Sequence, residues 1–359
     1  VAPLLKELYN SAYVTLLATK LKEIEPSFNT EKFFNDVFDV HWEKKELKTR
    51  MQHIAVSLHK NLLGNYKKDV KLLQELFLKV NDKHSLENML FAEYVALYGK
   101  DEPILSLDAL EVFTINSSSE FAIREFLLLY EASTLERIYA WTQSKNEHIR
   151  RLSSEGVRPR LPWAKALPKY KKDPTPLFKI IEHLQHDSSP YVRKSVANLI
   201  NDISKDHPEI TLKLLRKLLK NRVESSLVKH AARTLLKAAN KDALELFGYE
   251  IREDITLESL HFLPELSMGE EQSFSFRLTT PKKLGKLRIE FALHLLRKNG
   301  TYNTKVFQIA QKEYDINRVE IQKNYSFKNI TTRKYYRGEQ KISIIVNGDA
   351  YVSFSFMLT

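Results

Sequence analysis

A chain of 359 residues, 43% of them hydrophobic, has enough apolar mass for one extended domain and a smaller one, so disorder is not its default state. Its net charge of +11, from 56 Lys and Arg against 45 Asp and Glu, favours a polyanionic partner, because a basic surface attracts phosphates and releases their counterions on contact. The absence of cysteine excludes disulfides, thiolate zinc sites and a cysteine nucleophile. With neither a membrane-length apolar run nor a signal-peptide pattern in the opening segment, a cytoplasmic location without membrane contact is expected.

In chain order, the first 248 or so residues are poor in glycine and carry apolar residues at helical spacing, as in Leu72-Leu73-x-x-Leu76-x-x-x-Val80. Breaks fall at Asn29/Thr30, Asp101 to Pro103, Pro174/Pro176 and Pro208. His148-Ile-Arg-Arg-Leu, Tyr191-Val-Arg-Lys-Ser-Val-Ala and Leu227-Val-Lys-His-Ala-Ala repeat one pattern, with Arg150, Arg193 and Lys229 at offsets of 43 and 36 residues. The middle copy, from Asp187, matches the turn and second helix of a HEAT repeat. Such spacing predicts paired helices stacked as a solenoid, the second helix of each pair turning its basic residue to a concave groove. From residue 256 the period changes to two: Phe274-Ser-Phe-Arg-Leu, Lys286 to Leu295, Thr304 to Ile309, Val319 to Gln322, Lys341 to Val346 and Tyr351 to Phe356. Six or seven short strands, with turns at Asn299-Gly300 and Asn347-Gly348-Asp349, predict an immunoglobulin-like sandwich, with a small barrel as the alternative. The expected class is therefore an all-α HEAT-like helical-repeat solenoid over 1–255 followed by a small all-β immunoglobulin-like sandwich over 256–359.

Charge concentrates in the helical part. Residues 141–180 hold ten Lys and Arg against three acids, and a second basic stretch includes Lys213, Lys229, Arg233 and Lys237. Within the first lies Arg150-Arg-Leu-Ser-Ser-Glu155-Gly-Val-Arg-Pro-Arg-Leu-Pro-Trp163. Glu155 sits beside Gly156 at a helix end, where a carboxylate opposes the macrodipole, and such a broken rule often marks function; an i,i+4 pair with Arg151 is the structural alternative. Trp163, in a Pro-bracketed loop, is either a stacking surface or a core plug. Asp202 lies one turn beyond Asn198, the repeat equivalent of Glu155, which turns it toward the same groove, with an exposed pair to Lys205 as the alternative. Glu120 closes a good capping box with Ser117.

As a set these segments carry a resemblance. Asn116-Ser-Ser-Ser-Glu-Phe-Ala-Ile-Arg124, Ser154 to Trp163 and Tyr191 to Pro208, with Phe33-Phe-Asn-Asp-Val-Phe-Asp and Leu47-Lys-Thr-Arg-Met-Gln-His-Ile, resemble the AlkC family of bacterial DNA glycosylases. The β-domain is similar to the immunoglobulin-like extension of some members. The resemblance implies excision of cationic lesions such as N3-methyladenine and N3-methylcytosine from double-stranded DNA, without flipping the base into a pocket. It also implies that Glu120, Glu155, Trp163 and Asp202 form the active site.

That chemistry suits the residues. A cationic base leaves neutral without a protein acid, so the enzyme need only stabilise an oxocarbenium-like sugar and present water to C1′, which carboxylates such as Glu155 and Asp202 can do. Trp163 would lie against the deoxyribose. Arg150, Arg158, Arg160, Arg193, Lys194, Lys229 and Arg233, with Lys282 and Lys283 of the β-domain, are expected on phosphates. Scattered histidines make no ligand set, and no phosphate loop or serine-hydrolase motif occurs, so no metal and no cofactor are expected of this monomer. No obvious lysine nucleophile stands out, which favours a monofunctional hydrolase. A non-catalytic DNA-binding scaffold and a protein-binding HEAT adaptor remain the alternatives.

Overall fold

The computed structural model describes residues 4–80, 82–330 and 333–359; the first three residues of the segment read for a targeting signal lie outside them. The chain divides into two compact units, one running to His207 and including Lys217–Ala231, the other comprising Pro208–Arg216 and Ala232–Thr359.

Helices fill the first unit: α1 (Ser11–Ile24), α2 (Thr30–Val37), α3 (Leu47–Asn61), α4 (Tyr66–Lys79), α5 (Met89–Tyr98), α6 (Pro103–Phe113), α7 (Ile123–Leu129), α8 (Glu131–Trp141), α9 (Glu147–Glu155), α10 (Pro168–Lys172), α11 (Phe178–Leu184) and α12 (Pro190–Ile203). Then come α13 (Pro208–Lys220), α14 (Ser225–Ala231), α15 (Arg233–Lys237) and α16 (Lys241–Leu246). Asparagines start several of them: the side chains of Asn10, Asn29, Asn65 and Asn146 accept from backbone N–H groups of the first turn, filling donors the helix cannot satisfy itself. Proline opens α6, α12 and α13, where its missing N–H has no intrahelical use.

The predicted repeat is visible as packing. Helices α9, α12 and α14 lie side by side, with α8 against α9 and α11 against both α9 and α12. Ser154 on α9 donates to Ser195 on α12 at 2.7 Å, and His230 on α14 bonds Asn198 on α12 at 2.9 Å. Leu152, Val196, Leu199, Ile200 and Val228 on these helices are fully buried, each worth about 1.5–3 kcal/mol of transfer free energy.

In the second unit β1 (Thr256–Phe262), β3 (Glu271–Thr279) and β6 (Arg318–Ser326) form one sheet in the order β1-β3-β6. The other contains β2 (Glu265–Leu266), β4 (Gly285–Leu296), β5 (Tyr302–Tyr314), β7 (Gly338–Val346) and β8 (Asp349–Leu358) in the order β2-β8-β7-β4-β5. Only the β2–β8 pairing is parallel among these. Strand β3 alternates as predicted, burying Phe274, Phe276 and Leu278 in one core with Phe291, Ile342, Ile344 and Phe354. The β7–β8 turn needs positive φ at Asn347 (49°) and Gly348 (89°), and a Cβ on Gly348 would stand 2.5 Å from Leu244 of α16, so glycine is required there twice over. That approach, and the bond from Asn347 Nδ2 to the Glu250 carbonyl at 2.7 Å, explain why the second unit takes in the chain from Ala232, ahead of the change from helix to strand.

Candidate active site

A cavity of about 510 Å³ opens in the first unit, with Glu120, Arg151, Glu155, Arg158 and Tyr191 at its polar side and Leu47, Met51, Leu86, Met89, Phe121 and Leu161 among its apolar walls. Trp163 lines it too. The structure thus brings together three of the four residues expected at the site, and joins the fourth, Asp202, to them through Arg158.

Glu155 is the last residue of α9, followed by Gly156, whose N–H closes the helix on the Leu152 carbonyl. A Cβ on Gly156 would meet the Ile123 Cγ2 at 2.7 Å and the Leu152 carbonyl oxygen at 2.9 Å; the close approach of α7, not a positive φ, is why glycine follows Glu155. Glu155 is 6% exposed. Its Oε1 accepts from Arg158 Nη1 at 2.5 Å and its Oε2 from Ser195 Oγ at 2.7 Å. The alternative pairing with Arg151 does not form: Arg151 turns to Glu120 instead and lies over the Tyr191 ring, 4.6 Å from its centroid.

Asp202 is fully buried, with Oδ2 accepting from Arg158 Nε at 2.9 Å and Oδ1 from Lys205 Nζ at 2.9 Å. The Lys205 pairing read from the sequence therefore forms, with the carboxylate buried. Burial opposes the Arg158 charge, but the Glu155 and Asp202 carboxylates outweigh it and hold its pKa above the ordinary value.

Glu120 makes no capping box. Helix α7 begins three residues later without a side-chain cap, Ser117 Oγ donates to the Ser85 carbonyl, and Ser119 Oγ to the Leu110 carbonyl. The Glu120 side chain is buried, and its Oε2 has no hydrogen-bond partner among the described residues. Burial pushes its carboxyl above the usual range, against the pull of Arg151.

Trp163 is the exposed member, 68% accessible and held at φ 66°, a left-handed conformation that is uncommon for a bulky residue. Its carbonyl accepts from Lys48 Nζ at 2.7 Å, and the Lys48 ammonium lies 4.9 Å from the centre of the Phe121 ring. The loop behind it hangs on Arg124, which is fully buried and donates to the carbonyls of Gly156 (3.0 Å), Arg158 (2.9 Å) and Lys165 (2.5 Å). Burial, with Arg158 nearby, lowers the Arg124 pKa to about 10, leaving it cationic at neutral pH. Arg124, Lys48 and Ser195 were missed in the sequence, although all three lie inside the segments that carry the resemblance.

The expected phosphate contacts divide. Arg158 turns its guanidinium inward, between the Glu155 and Asp202 carboxylates. Arg150 holds Asp187 through Nε (2.6 Å) and Nη2 (3.0 Å) and the carbonyls of Ser144 and Lys145 through Nη1. Arg193, its repeat equivalent, bonds the carbonyls of Asp187 and Ser188 and pairs with Glu224 at 2.8 Å. Arg160 pairs with Asp206 near the surface, Lys194 is exposed, Lys229 is half-buried in α14 and Arg233 opens α15. In the second unit, Lys282 and Lys283 are exposed between β3 and β4, Lys283 pairing with Asp315 at 3.1 Å. Among the described residues no helix is long and apolar enough to cross a membrane, and no group of three His, Asp or Glu side chains is arranged to hold a metal ion.

Stacked second helices carrying this acidic cluster, in a chain that also holds a two-sheet sandwich, define a HEAT-like repeat protein with an immunoglobulin-like domain. Comparison with known proteins agrees. The family described as DNA alkylation repair enzyme matches residues 107–247, and the C-terminal Ig-like domain of the uncharacterised protein YhaZ matches 256–359. Bacillus subtilis (strain 168) YhaZ is 39% identical over 357 residues, 99% of each chain. A solved structure of Pseudomonas fluorescens alkylpurine DNA glycosylase AlkC, bound to DNA containing an abasic site analog, is 35% identical, with a TM-score of 0.94 covering 99% of this chain and 100% of that one. The chain belongs to the AlkC and YhaZ family of DNA alkylation repair proteins.

Proposed function

We propose that this protein is a monofunctional DNA glycosylase, hydrolysing the N-glycosidic bond of cationic alkylated bases, N3-methyladenine and N3-methylcytosine, in duplex DNA. It works as a monomer, needs no cofactor and leaves the base unflipped. The observation that carries this reading is the cavity in which Glu120, Glu155 and Trp163 meet, in a chain similar along its whole length to a glycosylase bound to DNA containing an abasic site analog.

The C1′–N bond breaks with its electron pair going to the base, which neutralises the base's positive charge and leaves cationic character on the sugar. Glu155 and Asp202 supply negative potential there, within a site walled by apolar side chains where it is weakly screened. Water adds to C1′ as a carboxylate receives its proton. The exposed Trp163 ring offers its electron-rich face to the sugar. The exposed Lys194, Lys282 and Lys283, together with Arg160, Lys229 and Arg233, meet phosphates and position the duplex without reading its sequence; Arg150 and Arg193 face the same backbone while bracing the turns that precede the second helices. In the cell the protein works in the cytoplasm, on the nucleoid.

Glu155→Gln and Asp202→Asn test the assignment. Each is expected to lower release of N3-methyladenine from methylated duplex about 10²- to 10³-fold with duplex affinity kept. Wild-type protein that binds duplex but releases no modified base leaves the scaffold reading standing, and absence of duplex affinity at moderate salt leaves the adaptor.

A further inference from the structure

Glu155 and Asp202 come from different repeats, and like charges placed near one another repel unless a cation lies between them. Arg158 is that cation. Its Nη1 takes Glu155 Oε1 and its Nε takes Asp202 Oδ2, at 2.5 and 2.9 Å, with all three side chains no more than 8% exposed. The remaining oxygens are also occupied, Glu155 Oε2 by Ser195 and Asp202 Oδ1 by Lys205. The backbone of Arg158 is fixed in turn, because Arg124 holds its carbonyl and that of Gly156. A guanidinium offers separate donors at set angles, so one side chain can orient two carboxylates; an ammonium is a point charge and cannot fix both directions. To turn its guanidinium away to a phosphate, Arg158 would have to leave buried Glu155 with the Ser195 hydroxyl alone and buried Asp202 with Lys205 alone, which is unfavourable.

We infer that Arg158 is a positioning residue for the proposed hydrolysis: it sets Glu155 and Asp202 as one oriented pair and makes no phosphate contact. The inference rests on the glycosylase reading. Without Arg158 the acids repel, Glu155 swings from its place in the cavity wall, and turnover falls although DNA still binds.

The test uses the full chain with R158M and R158K, measuring base release against DNA concentration and the salt dependence of binding to undamaged duplex. R158M is expected to lose about 10²-fold in saturating rate, as other electrostatic groups do, with KM changed less than about twofold and the slope of log affinity against log salt unchanged. R158K, with charge but no fork, is expected to recover roughly tenfold of that loss. Should R158M unfold, R158K alone decides: it is to show a reduced rate at wild-type KM and wild-type salt slope. A phosphate role predicts the opposite, a weaker KM, an intact saturating rate and a slope smaller by about one, and that result overturns the inference. Wild-type protein that releases no base overturns the glycosylase reading instead. Active wild type with R158M equally fast at saturation overturns the positioning role alone.

Discussion

Arg124→Met probes what holds the loop that carries Arg158 and Trp163. Arg124 is fully buried and donates to three backbone carbonyls, those of Gly156, Arg158 and Lys165. Hydrogen bonds from a charged group contribute about 1.5–3 kcal/mol each, so removing three costs roughly 5–9 kcal/mol. An opposing effect comes from the charge itself. Burial has lowered the guanidinium pKa to about 10, so holding the cation already costs the fold roughly 3 kcal/mol, which the apolar methionine returns. The net expected loss is about 2–6 kcal/mol, a large share of the ~5–15 kcal/mol that holds a typical domain together. Its effect should concentrate in residues 156–165, where the freed carbonyls must find water, so base release is expected to fall by more than duplex affinity does. Urea unfolding followed by circular dichroism measures the first quantity, and base release at saturating DNA the second. Stability within about 0.5 kcal/mol of wild type, together with an unchanged saturating rate, would refute the reasoning, since the loop would then be held without Arg124.

Glu120→Gln carries a pH signature. Burial raises the Glu120 carboxyl, so the fold holds this proton more tightly than the unfolded chain; its contribution to stability is complete below the ordinary carboxylate pKa and lost as pH rises through the raised one. The Gln variant does not titrate there and should gain on wild type in urea midpoint as pH rises above the ordinary carboxylate pKa of about 4.3; a difference that is flat or of opposite slope counts against the burial argument. At Trp163, glycine removes the left-handed strain, so Trp163→Gly is expected to match or exceed wild-type stability by up to about 1–2 kcal/mol. The same variant should lose most base release, with Trp163→Phe intermediate, and a fully active glycine variant would remove the ring from the site.

Periodicity carried most of the fold because it is a local property. The change from apolar spacing of 3–4 residues to alternation near 256 is set by burial of one face at a time, and the 43- and 36-residue offsets survive as the packing of α9, α12 and α14. Glu155 was legible because it breaks a local rule beside Gly156, whose cause, the approach of Ile123, is not local. The supports were less legible: the Lys48 bond to Trp163 spans 115 residues and the Arg158 bond to Asp202 spans 44, and no spacing rule reports which way a loop side chain turns.

Three carboxylates expected in one groove need cations nearby, because a buried acid is tolerated only when paired. Arg124 stands in the segment of Glu120, Arg151 and Arg158 stand in that of Glu155, and each is spent inside. Arg151 binds Glu120, Arg158 binds Glu155 and Asp202, and Arg124 braces the loop between them. Arg150 and Arg193 add further bonds at the turns that precede the second helices. The positive charge counted between residues 141 and 180 is therefore partly committed to holding acids in place, and the charge a duplex meets is smaller than the count suggests. Binding that is weaker in its salt dependence than the basic count implies, joined to catalysis that depends on arginines distant from phosphate, is what such a division of labour requires.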